Sequence, residues 1–489
     1  MKHTCVVPVM AAVLLGGSFG VGSIVSAQTV ETRIGRLTFD HGLPTRETAA
    51  ALYDEMDLQR AVQCYLWGLP TVGLEESKQA QEQNTGARNG DMAVYEGYRS
   101  VSVLLTPNLV TTYIIANLNL AEQGPMVLDY PAGATSGAVV DWWDRPVTDV
   151  GQPGPDKGEG AKYLFVGPGQ DVAPADGFRI VRSRTFKMMF FYRVLDADPQ
   201  RAQALQTAVR LYPYRRRDDP PATRFLRPRP DGTLRGGTHP SGLAYWERLT
   251  QALTGEAGED RDRFFVAMLK PLGIERGKPF RPDARQKRIL EDAAQIGEAM
   301  ARASAFATRL ESRRYRPDSH WEYVFPPGFA PDQDVQDGTQ FEERTGLFYE
   351  TIGMSSAALT RIPGVGQALL ALSRDKSGAS FDGGRTYRLR VPPNPPARQF
   401  WSITLYDVET RRLIQNARQI ADRSSRNDLV KNADGSIDLY FAPAPPAGFE
   451  KNWIPTVAGR AWFTFFRLFG PLEPYLDRSW LLPDIELVK

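Results

Sequence analysis

Cysteine is almost missing from this 489-residue chain, which has two, and histidine is scarce, with four. Cys5 falls in an amino-terminal apolar run, so a chain that sheds that run keeps Cys64 alone and forms no internal disulfide. Cys64 sits in Leu58-x-x-Ala61-Val62-x-x-Tyr65-Leu66, a helical spacing in which a small thiol packs as an apolar group. A nucleophilic thiol would need a base beside it, and the sequence supplies none. Beyond the leader, His41, His239 and His320 stand far apart, outside any His-x-x-x-His or His-Glu-x-x-His pair. The sequence therefore starts no metal-ligand set and names no cofactor, and these histidines read as polar packing or surface. His239 is set apart by its place beside Pro240 in a Gly-rich loop expected to face a neighbouring domain.

An excess of one charge is missing as well. The chain has 59 basic and 57 acidic residues, formally +2, which removes the electrostatic reason to expect nucleic acid as a partner. Even Arg215-Arg216-Arg217 is followed at once by Asp218-Asp219. After the amino terminus no apolar run is long enough to cross a bilayer. Gly16-Gly17-Ser18-Phe19-Gly20, a Gly-x-Ser-x-Gly match, lies in the leader and lacks the strand and helix that a hydrolase elbow requires. Gly167-Pro168-Gly169 and Gly364-Val365-Gly366 are too short for dinucleotide binding and read as turns.

What is present begins with the leader. Lys2 and His3 precede an apolar run from Val6 to Val25, and Val25-Ser26-Ala27 supplies small residues for cleavage, so a signal peptide over 1–27 and a periplasmic or secreted protein are expected. Length and a 42% hydrophobic content allow two or three cores.

Period-two patterns dominate the carboxy-terminal quarter. In Tyr387-Arg388-Leu389-Arg390-Val391 apolar residues fall on one face and arginines on the other, and Ile437, Leu439 and Phe441 repeat this after the turn Asp434-Gly435. The pattern predicts a jelly-roll-like β-sandwich over 375–489. Stretches rich in β-branched and aromatic residues, Val101 to Leu105, Thr111 to Leu118, Met126 to Tyr130, Tyr163 to Val166 and Phe186 to Val194, predict a first β-sandwich over 95–195. Between them come a Pro/Arg-rich crossing over 196–240 and a helical unit over 241–372. In that unit Ile289, Leu290, Ala293, Ile296, Met300, Ala303 and Ala307 form an apolar stripe. A further helix is expected over 46–70, ending at Gly68 and Pro70. The fold class is thus mainly β with a helical insert.

Several of these segments resemble one bacterial family, which pairs domain-of-unknown-function 1254 with domain-of-unknown-function 1214. Phe400 to Asp407 (FWSITLYD), the hairpin Asn432 to Phe441, Asn452 to Pro455 and the closing Trp480-x-x-Pro483-Asp484-Ile485 are similar to its carboxy-terminal module. Ala61 to Leu69, Pro107 to Tyr130 and Tyr163 to Gly169 are similar to the amino-terminal one. Many relatives carry Asn-x-Asp-Thr-x-Tyr where this chain reads Asn108-Leu109-Val110-Thr111-Thr112-Tyr113, so any role of that acid is not carried over. The resemblance implies two β domains joined by helices, and no established reaction.

Candidate site residues fall in both modules. Tyr95, Tyr98, Arg99, Asn108 and Tyr113 form a polar-aromatic set in the first; Trp401, Tyr406, Asp407, Asn416 and Asn452 do so in the second. Of these, Tyr98, Arg99, Asn108, Tyr113, Trp401, Tyr406 and Asn452 are taken as the ligand-binding set, since buried hydroxyl, amide and guanidinium groups need partners that a ligand can supply. Asp407 at a strand end reads equally as a turn cap or a ligand contact. Asp141-Trp142-Trp143-Asp144-Arg145 offers two indoles for stacking or, the favoured reading, for core and rim. Glu342-Glu343 could do acid–base work only if one were buried. The reading is an exported protein acting on or binding a small organic or glycan-like ligand in the cleft between the modules. Two classes stay open: a hydrolase using carboxylates, which should gather titratable groups in one pocket, and a non-catalytic envelope or binding protein, with an aromatic-lined groove instead. A homo-oligomer is neither required nor excluded.

Overall fold

A computed structural model describes residues 28–173 and 176–488; the expected leader lies outside the described residues. The chain divides into two compact units, 1–56 and 57–489. The described part of the smaller unit is a three-stranded antiparallel sheet, Gln28–Thr32, Gly35–Asp40 and Leu43–Pro44, followed by the start of a helix.

That helix does not stop at Pro70 as predicted; it runs from Arg46 to Thr85. Proline removes the hydrogen bond that the Leu66 carbonyl would accept and costs an interior helix about 3 kcal/mol. Three side chains donate to the neighbouring carbonyls instead. The Tyr245 hydroxyl reaches Tyr65 O at 2.6 Å, Arg344 Nη2 reaches Trp67 O at 3.1 Å and His239 Nε2 reaches Leu69 O at 2.9 Å. At about 1 kcal/mol each, such bonds nearly offset the proline. Glycines make room for two of the donors: a Cβ on Gly68 would lie 3.0 Å from the Tyr245 oxygen, and one on Gly73 3.0 Å from His239 Nε2.

Within the larger unit the fold is β-rich with helices. One six-stranded sheet runs edge to edge as Phe225–Leu226, Met92–Tyr95, Tyr113–Asn119, Lys187–Val194, Thr135–Asp141 and Pro146–Gly151. A four-stranded sheet, Arg179–Arg182, Ala161–Val166, Met126–Tyr130 and Arg210–Pro213, shares a core with it. In Lys187–Val194 the alternation is plain: Met188, Phe190 and Tyr192 enter this shared core, while Met189 and Phe191 join the core on the other face. That sheet is buried on both sides, which is why its strands read as continuous apolar runs. Val101 to Leu105, predicted as a strand, instead leaves a short helix, Gly97–Val101, for an irregular loop.

The carboxy-terminal part has a five-stranded sheet, Glu322–Tyr323, Gln367–Leu372, Trp462–Pro471, Ala397–Asp407 and Asp422–Ser424. Its companion has four strands, Trp453–Pro455, Ile437–Ala442, Tyr387–Val391 and Glu486–Leu487. Leu389 pairs with Leu439, and both are buried, on the faces that the alternation suggested.

Between these parts lie the helices Leu243–Leu253, Arg263–Leu269, Ala284–Phe306 and Phe341–Glu350. The stripe on Ala284–Phe306 is rotated from the predicted one. Ile289, Leu290 and Ala293 are buried as predicted, but Ile296 and Met300 are 38% and 45% exposed, and the buried face continues through Ala294, Gly297, Ala301 and Ala305. Close approach decides this, because a Cβ on Gly297 would meet the Tyr65 ring at 2.6 Å. The smallest residues face the neighbour, and the larger apolar ones give way.

Candidate functional site

Leaving Gly97–Val101, the chain turns on Asn108. Its Oδ1 accepts from Val110 N at 2.9 Å, Thr111 N at 3.0 Å and the Thr111 hydroxyl at 3.2 Å. Its backbone N–H and Nδ2 both donate to the Tyr113 hydroxyl, each at 2.9 Å. Asn108 and Tyr113 therefore fold their own loop. Val110 packs beside Leu195, Phe400 and Phe469. Further on, Tyr113 lies under the Arg193 guanidinium, 4.8 Å from it.

On the second module the strand Ala397–Asp407 ends in a turn. Asp407 Oδ1 accepts from Thr410 N at 2.9 Å and from the Thr410 hydroxyl at 3.0 Å, so Asp407 caps this turn. Arg411 then adopts a left-handed backbone, φ 56°. This geometry sends adjacent arginines to different places. Arg411 is buried, its guanidinium 3.9 Å from the Tyr349 ring centre, and Arg412 turns to a cleft between the modules.

That cleft has a volume of about 280 Å³. Arg99, Ser102 and Val103 form one wall, Leu234 of the Pro/Arg-rich crossing a second, and Asp407, Thr410, Arg412 to Gln415 and Arg460 the third. Tyr98 joins the walls, its hydroxyl donating to Ile414 O and accepting from Asn416 N at 3.2 Å. The Arg99 guanidinium donates to Arg229 O at 3.0 Å and Gly232 O at 2.7 Å, both uncharged. Arg460 stands 3.8 Å from Asp407 Oδ2. The Arg412 guanidinium has no hydrogen-bond or ion-pair partner among the described residues, and its Nε is buried without one. Gly236 lies against it so closely that a Cβ there would be 2.2 Å from Nη1. Burial pulls the Arg412 guanidinium below the usual arginine range, with Asp407 opposing and Arg411 adding to the effect. An arriving anion would relieve that cost.

The other candidates take up architectural places. Trp401 is buried, stacked on Phe466 with ring centres 5.6 Å apart, and does not line this cleft. Tyr406 is buried; its hydroxyl donates to Pro107 O at 2.6 Å and accepts from Arg467 Nη1 at 2.6 Å, while Arg467 Nη2 donates to Thr106 O at 2.5 Å. These bonds sew the modules together. Asn452, also buried, joins Val430 and Asp438 through their backbones. Trp142 and Trp143 are both buried, so neither offers a stacking face, and Glu342 is held by Arg309. Thus Arg99 lines the cleft and Tyr98 braces it, while Asn108, Tyr113, Trp401, Tyr406 and Asn452 do not line it. Sequence reasoning missed Arg412 and Arg460. The doublet Arg411-Arg412 after a strand-ending Asp was the available signal, since neighbours across a tight turn point apart.

Residues 92–213 match the family described as protein of unknown function (DUF1254), and residues 366–473 the one described as protein of unknown function (DUF1214). The chain therefore carries both domains, DUF1254 amino-terminal and DUF1214 carboxy-terminal. No curated protein matches it. Among solved structures it is similar to the VPA0106 protein from Vibrio parahaemolyticus, at 14% identity and a TM-score of 0.55 over 88% of this chain and 100% of that one. A putative uncharacterized protein from Burkholderia cenocepacia is 13% identical, with a TM-score of 0.40 over 91% of this chain and 98% of that one. The first likeness is one of fold alone.

Proposed function

We propose that this protein binds a small organic anion, a carboxylate or phosphate compound, in the cleft between its two modules. The observation that carries the reading is Arg412, a half-buried guanidinium without a hydrogen-bond or ion-pair partner among the described residues, set beside Arg99 and Arg460. Guanidinium groups present a fork of donors that matches carboxylate and phosphate oxygens. A neutral glycan fits the cleft less well, because sugars favour aromatic faces and no ring is among its lining residues. Asp407 is the one carboxylate lining it and already caps a turn, which favours binding over acid–base catalysis at this place. We also read the two pairs of stacked sheets as sandwiches, the second jelly-roll-like, which would hold the walls of the cleft rigid.

Calorimetric titration with citrate, benzoate, phosphate and neutral glucose tests this. At least one anion should bind, glucose should not, and Arg412→Ala should weaken the anion about tenfold or more, the usual weight of a charge-assisted bond. Binding of glucose alone, or an anion affinity indifferent to Arg412→Ala, would remove the proposal.

A further inference from the structure

Among the described residues two histidines pair with aspartates, and the pairs differ. His41 and Asp40 are sequence neighbours on an exposed surface. His320 and Asp484 come together across 164 residues, and Asp484 belongs to the closing Trp480-x-x-Pro483-Asp484-Ile485 segment. Asp484, its side chain 6% exposed, receives His320 Nδ1 at 2.7 Å, the His320 backbone N–H at 3.0 Å and the Ser319 hydroxyl at 2.5 Å. Next to it, Trp321 Nε1 donates to Pro483 O at 2.9 Å and locks the closing segment in place.

This arrangement fixes the tautomer of the neutral imidazole. A carboxylate on Nδ1 keeps the proton there, so Nε2 is left with its lone pair. The ring is not sealed in: its side chain is 42% exposed, and it lines a cleft of about 430 Å³ together with Arg314, Glu322, Ser373 and Arg374. That volume is within the range of small-molecule sites. Glu322 contributes a carboxyl that burial pushes above its usual range, against the pull of Arg313, Arg374 and Arg314. Arg374 donates to Gly378 O at 3.2 Å and has no ion-pair partner among the described residues, which leaves charge and donors for an anion. An oriented base, a carboxyl that keeps its proton longer than most, and a spare guanidinium thus line one cavity.

We propose that this second cleft hydrolyses carboxylic esters that carry a negative charge, with His320 as general base on water and Glu322 as acid to the leaving alcohol. His320 Nε2 takes a proton as the water oxygen bonds to the acyl carbon. The carbon–oxygen bond to the alcohol then breaks, and that oxygen leaves with the proton of Glu322. The imidazolium returns its proton through solvent to the Glu322 carboxylate, so the sum is ester plus water to acid plus alcohol, with no change of oxidation state. Arg374 holds the negative group of the substrate. Asp484 acts through His320 and is a positioning residue.

Hydrolysis of 4-acetoxybenzoate, followed by release of 4-hydroxybenzoate, tests this, with phenyl acetate as the uncharged counterpart. The native chain should exceed the buffer rate and favour the charged ester. His320→Asn should lower the rate at least about a hundredfold, the usual weight of general acid–base catalysis. Asp484→Asn should lower it and displace the acid limb of the pH profile, and Glu322→Gln should remove the alkaline limb. His41→Asn, the exposed pair, should leave it unchanged. A native rate equal to buffer overturns the proposal. So does full activity in a folded His320→Asn variant, or an Asp484→Asn variant that melts lower with an unmoved pH profile. The two clefts share no lining residue, so failure here leaves the anion-binding reading standing.

Discussion

Arg467 and Arg412 both come from the second module and both lie where it meets the first, yet their surroundings are opposite. Arg467 is buried and gives its donors to the Tyr406 hydroxyl and the Thr106 carbonyl. Arg412, just beyond the end of the neighbouring strand Ala397–Asp407, is half-buried, and its guanidinium has no hydrogen-bond or ion-pair partner among the described residues. A buried polar group whose bonds are all met by backbone and side chains is architecture, because removing it strands its partners. A group left short of partners beside a cavity is available to something else. Asn108, Tyr406 and Asn452 fall with Arg467, all satisfied internally, whereas Arg99 borders the cleft with its guanidinium on two carbonyls and no carboxylate.

The largest effect expected from this contrast is at Arg467. Arg467→Met should destabilise the fold by about 3 kcal/mol, since it leaves a buried carbonyl and a buried hydroxyl without donors. Urea unfolding measures it, and a loss below about 1 kcal/mol would erase the distinction between the two arginines.

A smaller effect concerns the buried carboxyls that hold the segment after the helix Phe341–Glu350. Asp144 receives Gly353 N and Met354 N, and Asp149 receives Ser356 N and Ala357 N. Burial lifts Asp144 and Glu350 to about 7 and Asp149 to about 6. In the unfolded chain these groups lose their protons near pH 4, so between about 4 and 7 the folded state binds more protons and stability falls as pH rises. His239 works the other way, because burial lowers it to about 4 and its contribution grows with pH up to about 6.5. Above 6.5 only the carboxyls remain, so the melting temperature at pH 8 should lie below that at pH 6.5. Differential scanning calorimetry at the two pH values checks this; a higher melting temperature at pH 8 would contradict it.

The smallest effect should be the stability change on Arg412→Ala, within about 0.5 kcal/mol, because no protein bond is lost. Chemical denaturation of the ligand-free variant sharpens the comparison. A loss as large as that of Arg467→Met would place Arg412 in the architecture after all.

Local pattern carried much of this fold. Tyr387–Val391 and Ile437–Ala442 declared their buried faces by alternation, and Tyr387, Leu389 and Val391 are indeed the buried residues. The helix through Pro70 was hidden because its supporting donors come from His239, Tyr245 and Arg344, none of them local. The rotated stripe on Ala284–Phe306 was hidden for a related reason: the neighbour that selects Ala and Gly, Tyr65, is far away in sequence. Of the candidate site, Arg99 could be picked out as a polar residue among aromatics, but its meeting with Arg412 depends on a turn conformation at Arg411 that alternation does not encode.

The support of Pro70 also sets an order of events. Arg344 follows Trp67, the residue whose carbonyl it serves, by 277 positions. A chain made from its amino terminus therefore exposes the turn around Pro70 well before the last of its three donors exists. Until the helix Phe341–Glu350 has emerged, the Trp67 carbonyl lacks its Arg344 donor. The support of this helix at its proline is therefore complete only when the middle of the chain has been made.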